Sequence, residues 1–516
     1  MSGDRDEMKA FRELQAHLAP RWALADGDGP EPRDIVVVPS LSFDGIDTVA
    51  IDGVLHYEER MLFTLNLLRH PQARLMYLSS APIHPAAVDY MLSLVRGVPR
   101  EHLRQLHTVL SLYDSSFLPL SQKILERPRV VERIRDWIRP DCGLMTCFTV
   151  SELERSLAVA LDIPLYGVDP DLTWLGTKSG SRWAFREAGI PLLPGAESLK
   201  SESELVEAID RLWCENVGLE RVVVKQNTGF SGQGNAILDL AALSAVAPGS
   251  GVTGQAREGV LADALRTMRF VDPILTWASF REKLEREGGV VEAFVEDRAK
   301  RAPSCQLRIS PEGSLDMLST HDQLVEGVDG QIYAGCRFPA DEAYRMDIQR
   351  DALRVAKVLQ KKGAVGRLAV DFICVQQDDG SWKHFAIETN LRLGGTTHPM
   401  MLLRMLSDGR YDPDAGLYLT PRGEPQFYVA TDSMRSETYR GLLIEDLLDI
   451  AAANGLHYHG DSESGVIFHF TGTLSEFGKL GITAVGKSPA EADHWFDQTR
   501  LVLDRETKSE SCTSKS

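Results

Sequence analysis

The sequence predicts a multidomain fold with α/β and α+β parts, because the chain is long and its apolar pattern changes near residue 172. The 516 residues, 43% hydrophobic and 25% charged, are enough for two to four domains with separate cores. Before residue 172, apolar runs alternate with helical stretches; after it, short strands follow one another with few helices between them. We therefore expect an open α/β layer first and an α+β arrangement after it.

Residues 30–171 are expected to form the α/β layer. The run 34–39 is apolar almost throughout, which is typical of a parallel strand buried on both faces, and residues 73–79 predict a second strand of this kind. Similar runs recur at 143–145 and 164–167, with helical stretches between them. Strands and helices in this order favour a parallel sheet with crossover connections.

Residues 172–415 carry the strands of the expected α+β part. A run of valines ends in Lys225, a glycine-rich turn follows, and residues 236–238 predict the returning strand. Further strands are expected at 289–295, 366–373 and 384–388, a helix at 351–362, and a mobile loop at 248–259. A third part, 425–506, should hold a helix at 444–453 and a strand at 466–470, before a disordered tail at 507–516.

Charge and cysteine content narrow the expected partners and the expected compartment. The formal net charge is -18, from 74 acidic and 56 basic residues, whereas nucleic acids and anionic membranes attract basic surfaces. We therefore expect no nucleic acid or membrane partner and favour small polar ligands. The seven scattered cysteines favour reduced thiols over disulfides or zinc, and no apolar run predicts a membrane span or signal segment. A cytoplasmic location is expected, and a homo-oligomer is left open.

A glycine-rich turn follows the strand that ends in Lys225. Glycines at 229, 232 and 234 allow backbone N–H groups to approach phosphate oxygens. The order is G-x-x-G-x-G and a strand follows, so neither a Rossmann fingerprint nor a P-loop fits, since both lead into a helix. On this segment alone, a phosphate-covering hairpin and an ordinary glycine turn both remain open.

Three oxygen-bearing side chains occur near the ends of two neighbouring predicted strands. Asp371 belongs to the first, and Glu388 and Asn390 end the second. Antiparallel pairing of these strands would bring the three together. Such hard oxygen ligands suit Mg²⁺ shared with phosphate oxygens. Arg392, two residues beyond Asn390, is expected on the same side, where a cation can neutralise a carboxylate or a phosphoryl transition state.

These motifs, in this order, resemble those of the ATP-grasp superfamily over roughly residues 172–410. The resemblance implies an ATP-grasp fold, with an N-terminal α/β pre-ATP-grasp domain and a small C-terminal α+β domain. It further implies ATP and Mg²⁺ as cofactors and assigns roles to residues. The residues it assigns to the phosphates are Lys178, Lys225, Gly229, Gly232 and Gly234. The backbone of Glu292 and Val295 is assigned to the adenine. The Mg²⁺ ligands are Asp371, Glu388 and Asn390, and Arg392 is the arginine of the E-x-N-x-R motif.

Further segments lie at 42–44, 165–170, 319–323, 333–339, 468–470 and 479–481. Through them the whole chain is similar to pheganomycin-type peptide ligases. The resemblance implies an ATP-dependent carboxylate–amine ligase that forms an amide bond through an acyl phosphate, with amino-acid or peptide substrates and with Lys178, Lys225 and Arg392 in catalytic roles. A carboxylase-type or kinase-type enzyme and a catalytically silent nucleotide-binding protein remain alternatives.

Several residues are left without a firm assignment at this point. Either Glu296 or Asp297 could hold the ribose, and His398 is expected to be structural. Four arginines are candidates for holding a substrate carboxylate, although each fits a salt bridge better: Arg308, Arg337, Arg367 and Arg404.

Overall fold

The structure is a computed structural model that describes residues 2–26, 32–42, 52–229, 232–296, 299–327, 330 and 332–513. Within these ranges, no helix is both long enough and apolar enough to cross a membrane. Three sheets organise the chain, and the predicted combination of α/β and α+β parts is confirmed.

The first sheet is parallel and has the strand order β3-β2-β1-β4-β5. Its strands are β1 (Arg33–Val38), β2 (Ala73–Ser79), β3 (His107–Ser111), β4 (Gly143–Cys147) and β5 (Leu165–Tyr166). The valines of β1 are fully buried, because helices cover both faces of the sheet. Its helices are Ser2–Gln15, Leu18–Asp26, Pro85–Ser93, Arg100–Leu106, Leu120–Leu125, Pro128–Trp137 and Glu152–Leu161, with the 3-10 helix Val54–Arg69 after β1.

The second sheet is antiparallel, with the strand order β6-β10-β7-β8-β9. These strands are β6 (Gly195–Leu199), β7 (Arg221–Gln226), β8 (Asn235–Asp239), β9 (Arg269–Phe270) and β10 (Gly289–Ala293). The helices near this sheet are Lys178–Ala188, which follows the 3-10 helix Pro170–Gly176, and then Glu202–Glu215, Gly254–Leu265 and Trp277–Glu287, with the 3-10 helix Ala241–Val246.

The loop expected at residues 248–259 is only partly observed. A helix begins at Gly254, because the Thr253 hydroxyl accepts a hydrogen bond from the Ala256 N–H and caps it. Leu261 and Leu265 anchor this helix in the core beneath the second sheet. The glycines suggested a flexible loop, but tertiary burial of these two leucines decides the structure.

The third sheet has eleven strands and runs from the central region into the C-terminal region. Its main path is β11-β15-β12-β13-β14-β19-β18-β17; β16 pairs with β15, and β21 pairs with both β19 and β20. The strands are β11 (Lys300–Arg301), β12 (Pro303–Ile309), β13 (Leu315–Glu326), β14 (Ile332–Phe338), β15 (Gly366–Gln376), β16 (Trp382–Asn390), β17 (Arg410–Asp412), β18 (Leu417–Leu419), β19 (Pro425–Arg435), β20 (Gly465–His469) and β21 (Lys479–Gly486).

The remaining helices flank this large sheet. They are Arg345–Lys361, Thr397–Leu406, Ile444–Ala453, Leu474–Phe477 and Pro489–Thr513, with 3-10 helices Glu437–Tyr439 and Thr471–Thr473. The last helix reaches Thr513, so residues 507–513 of the tail expected to be disordered continue it, and 514–516 lie outside the described residues. The pairing of β14 with β19, such as Cys336 opposite Ala430, makes the sheet continuous across the expected boundary at 415–425.

The 3-10 helix Val54–Arg69 joins the first sheet to the C-terminal region. Its Glu59 carboxylate accepts a hydrogen bond of 3.2 Å from the Gly472 N–H, and Lys479 donates one of 2.8 Å to the Tyr57 hydroxyl. Burial raises the pKa of Glu59 to about 7, although hydrogen bonds from residues 471 and 472 oppose the shift. Glu59 is therefore held in a junction that favours its neutral form.

We expect a Glu59→Gln variant to become more stable relative to the wild type as pH rises. Because the folded-state pKa of Glu59 lies above its value in the unfolded chain, its contribution to stability is complete below about pH 4.5 and is lost as pH rises through about 7. The amide cannot ionise, so the relative gain should be on the order of 3 kcal/mol between pH 4.5 and pH 8.

Thermal melting midpoints of the two proteins in matched buffers would test this expectation. Glu187→Gln, a change at an exposed helical position, is the control and should keep the wild-type pH dependence. A Glu59→Gln midpoint that follows the wild type at every pH would show that folding does not raise the pKa of Glu59.

Candidate functional site

A cleft lies between the second sheet and the third sheet, and Arg60 of the N-terminal part also lines it. Nine of the predicted site residues line it: Lys178, Lys225, Gly229, Gly232, Val295, Asp371, Glu388, Asn390 and Arg392. Gly234 and Glu292 lie behind this surface. Residues to which the sequence analysis gave no role also line the cleft, among them Arg60, Ser304, Gln323, Tyr333 and Thr396.

Strand pairing brings the three expected metal ligands together. Asp371 of β15 stands directly opposite Glu388 of β16, and Asn390 stands opposite Ala369, one alternation further along the same face. The Asn390 amide donates a hydrogen bond of 2.9 Å to one Asp371 oxygen, and the Gln323 amide donates one of 3.1 Å to the other. Two carboxylates and an amide on one face form an all-oxygen set of the kind that Mg²⁺ takes in proteins.

The two facing carboxylates have opposite pKa shifts. Burial and repulsion from Glu388 raise the pKa of Asp371 to about 6, against weaker opposing effects from Ser304, Lys178 and Arg392. Burial also acts upward on the pKa of Glu388, but Lys178, Arg392 and Lys225 together outweigh it, so the pKa of Glu388 is lowered. A divalent cation between these carboxylates would relieve their repulsion, so the donor set fits the metal in charge as well as in chemistry.

Lys178 reaches this pair from the start of the helix Lys178–Ala188. Its Nζ lies 2.5 Å from Glu388, while its backbone N–H donates to the Asn227 carbonyl at 3.1 Å, just past β7. The Thr177 hydroxyl caps the helix by accepting from the Gly180 N–H. The helix start is therefore fixed against the second sheet, and it places the Lys178 side chain in the cleft, where an ammonium group can pair with an anion.

Lys225 is held by a buried group of charges. Its Nζ lies 2.7 Å from Glu292, and Arg182 lies 2.6 Å from the other oxygen of the same carboxylate. Burial acts upward on the pKa of Glu292, but these two cations outweigh it and the pKa is lowered. The side chain of Glu292 thus fixes Lys225 from behind the cleft. The sequence analysis considered only the backbone of Glu292 and missed this role of its carboxylate.

The glycine-rich turn connects β7 to β8 beside Lys225. A Cβ at Gly229 would lie 2.3 Å from the Gln233 carbonyl oxygen, and Gly232 has a φ of 82°. Both positions therefore require glycine, and both line the cleft. Gly234 is also left-handed, with φ 80°, but supports the turn from behind. Residues 230 and 231, at the tip, lie outside the described residues.

The end of β10 forms another wall. Ala293, Phe294 and Val295 line the cleft, and Lys300 packs over the Phe294 ring at 4.6 Å. Glu296 forms a hydrogen bond of 2.9 Å with Arg221, whereas Asp297, the other candidate for the ribose, lies outside the described residues. Glu296 therefore faces a cation outside the cleft lining.

None of the four arginines considered for a substrate carboxylate lines this cleft. Arg308 pairs with Asp316 at 2.9 Å, Arg337 pairs with Asp493, and Arg367 contacts the Met401 sulfur at 3.3 Å. Arg60 lines it instead. No local motif marks Arg60, which is distant in sequence from every other lining residue, so only the packing of the N-terminal part against the cleft reveals it.

Both the central region and the C-terminal region of the chain match known protein families. Residues 172–250 and 261–414 match the family model described as IQCH-like, ATP-grasp, and residues 446–496 match the PGM1 C-terminal domain. Among curated proteins, the chain is 31% identical to an L-propargylglycine–L-glutamate ligase of Streptantibioticus cattleyicolor, over 86% of this chain and 89% of that protein.

More distant relatives extend the comparison. The chain is 24% identical to IQ motif-containing protein H of Danio rerio over 90% of its own length, but it spans about half (47%) of that protein. The fold is similar to an N5-carboxyaminoimidazole ribonucleotide synthetase in complex with ADP (TM-score 0.51, 11% identity, 92% of this chain and 97% of the other). It is also similar to the Campylobacter jejuni biotin carboxylase (TM-score 0.52, 13% identity, 90% of each chain). The chain belongs to the ATP-grasp family of ligases.

Proposed function

We propose that this protein is an ATP-dependent ligase that joins an amino-acid-like carboxylate to the amine of an amino acid or peptide through an acyl phosphate. The observation that carries the proposal is the convergence of two lysines, three oxygen ligands and an arginine in one cleft. The similarity to a propargylglycine–glutamate ligase over most of both chains supports amide-bond formation between amino acids.

Each group in the cleft has a role in this proposal. Asp371, Glu388 and Asn390 would hold Mg²⁺, which supplies positive charge to the phosphates when bound. Lys178, Lys225 and the glycines of the turn bind the triphosphate, and the backbone beyond Glu292 as far as Val295 binds the adenine. Arg392 neutralises charge beside the reacting carboxylate. The regions 30–171, 172–415 and 425–506 are proposed as the pre-ATP-grasp, ATP-grasp and C-terminal domains.

The reaction proceeds in two displacements. A carboxylate oxygen of the first substrate attacks the γ-phosphorus of ATP, the bond to the bridging oxygen breaks, and ADP leaves. The neutral amine of the second substrate then attacks the carbonyl carbon, phosphate leaves with the C–O bond electrons, and the amine gives up a proton. Positioning and charge neutralisation by the lysines and Arg392 perform most of this chemistry. An acyl phosphate is hydrolysed by water, so the glycine-rich turn is suited to act as a cover.

Lys225→Ala and Glu388→Gln should each lower kcat/KM for substrate-dependent ADP release by at least about 10²-fold, because each removes a charge that acts on the phosphates or the metal. A coupled assay for ADP would measure this. Lys357→Ala, at an exposed position on the helix Arg345–Lys361, is the matched control and should retain wild-type activity. Wild-type rates in both cleft variants, with far-ultraviolet circular dichroism unchanged, would refute the assigned roles.

A screen of amino-acid pairs should yield an amide product together with ADP and phosphate in equal amounts. Small apolar L-amino acids paired with L-glutamate form the first panel, with each partner tested as the carboxylate donor and as the amine, because one relative is an L-propargylglycine–L-glutamate ligase. Mass spectrometry detects the product, and EDTA should abolish its formation because the oxygen ligands need a divalent cation. ADP formed only with bicarbonate would indicate a carboxylase, a stable phosphorylated product a kinase, and no ADP with any pair a protein without turnover.

A further inference from the structure

Arg60 brings a positive charge from the N-terminal part into the cleft. It belongs to the 3-10 helix Val54–Arg69, and its side chain is only 6% exposed. It lines the same surface as Arg392, Gly394 and Gly395. Arg60 is buried and Arg392 is half-buried, and both line this cleft. The cleft therefore presents two guanidinium groups in addition to its two lysines.

The position of Arg60 is fixed from three directions. One of its terminal nitrogens donates a hydrogen bond of 2.8 Å to Asp432 of β19. The guanidinium also packs over the ring of Tyr57 at 4.3 Å and the ring of Phe470 at 5.0 Å. Asp432 is held in turn by His398, whose Nε2 lies 2.8 Å away. The side chain is thus ordered before any ligand arrives, which lowers the entropic cost of binding.

The group formed by His398, Asp432 and His469 raises a competing possibility, because their ligand atoms lie within 4.8 Å of one another and all three are buried. A metal ion there would share Asp432 with the guanidinium of Arg60, which lies 2.8 Å from that carboxylate, and the two cations would repel each other in a buried place. The Asp432 charge is already balanced by Arg60 and His398, which lower its pKa despite burial. The arrangement of these three residues is therefore better suited to supporting Arg60 than to binding a metal ion.

Arg60 retains donor capacity beyond its bond to Asp432. A guanidinium carries five N–H donors, and Asp432 accepts from one terminal nitrogen; the Nε has no hydrogen-bond partner among the described residues. A planar donor set of this kind matches a carboxylate better than it matches a neutral group. Lys178 and Lys225 pair with Glu388 and Glu292, whereas Arg60 enters the cleft from the N-terminal part of the chain.

We propose that Arg60 binds the carboxylate of the amine-bearing substrate, so that this substrate is an α-amino acid with a free carboxylate. This inference rests on the proposed ligase function, in which Arg392 serves the carboxylate that reacts. Arg60 binds the other carboxylate, which does not react and remains in the product. Asp432 and His398 are positioning residues for Arg60, and the N-terminal and C-terminal parts together determine which amine is accepted.

The test compares each accepted amine substrate with its carboxamide, which keeps the amine and the side chain but lacks the negative charge. Wild-type enzyme should prefer the free acid by at least about 10²-fold in kcat/KM, since the carboxamide loses a charge-assisted hydrogen bond and leaves guanidinium N–H groups of Arg60 without an acceptor. Arg60→Gln should reduce this preference to within about threefold, with the KM for ATP unchanged. A full preference for the acid in Arg60→Gln would overturn the proposal.

A matched control and a positioning variant sharpen the result. Arg69→Gln changes an arginine at the end of the same 3-10 helix, which pairs with Asp408 at 2.6 Å and does not line the cleft, and it should keep the wild-type preference. Asp432→Asn should raise the KM for the amino acid at least about tenfold while leaving the KM for ATP unchanged. Equal losses for both substrates would show that Asp432 acts only on folding.

A binding measurement separates this proposal from the proposed function. L-Glutamate is titrated by calorimetry into wild-type, Arg60→Gln and Arg69→Gln protein loaded with MgADP. Binding that is lost only in Arg60→Gln supports the carboxylate site even if no pair is ligated, in which case the ligase function alone fails. Equal binding in all three, no binding to wild type, or stoichiometric Zn²⁺ binding that His469→Ala abolishes would each overturn the assignment of Arg60.

Discussion

The site depends on placing two carboxylates opposite each other on adjacent strands. Asp371 and Glu388 are register partners across β15 and β16, so the sheet itself forces their charges together. Such a pair is costly unless cations compensate it, and Lys178 does so from a separate element. The Thr177 cap and the hydrogen bond to Asn227 fix the start of the helix at Lys178. They therefore also influence the charge state of the proposed metal ligands.

A second ion group repeats this arrangement further inside the protein. Glu292 is 1% exposed and sits between Lys225 and Arg182, both within 2.7 Å. Removing either cation would leave the buried Glu292 carboxylate with one cationic partner instead of two, and a lost partner is expensive in a low-dielectric interior. Lys225 is thus held in one orientation before a nucleotide binds. Preorganised charges of this kind need no rearrangement when new negative charge develops nearby, which is why they are effective in phosphoryl transfer.

Local patterns in the sequence were sufficient to predict the strands that carry the site. The alternation Glu388, Asn390, Arg392 has the period of a strand, and the paired strands confirm that the first two share a face with Asp371. Burial of Leu261 and Leu265 was not visible locally, so the helix from Gly254 was expected to be a loop. Arg60 reaches the cleft through tertiary packing, and its neighbours along the chain carry no sign of it.

The continuity of the third sheet limits how the chain can be divided. β14 pairs with β19, so backbone groups of the central region are satisfied by a strand that follows residue 425. A protein cut between 415 and 425 would leave β14 as a bare edge, open to pairing with another molecule. The C-terminal part cannot then be exchanged between relatives as a separable module; its strand β19 must be inherited together with the strand beside it, and recombination points belong elsewhere in the chain.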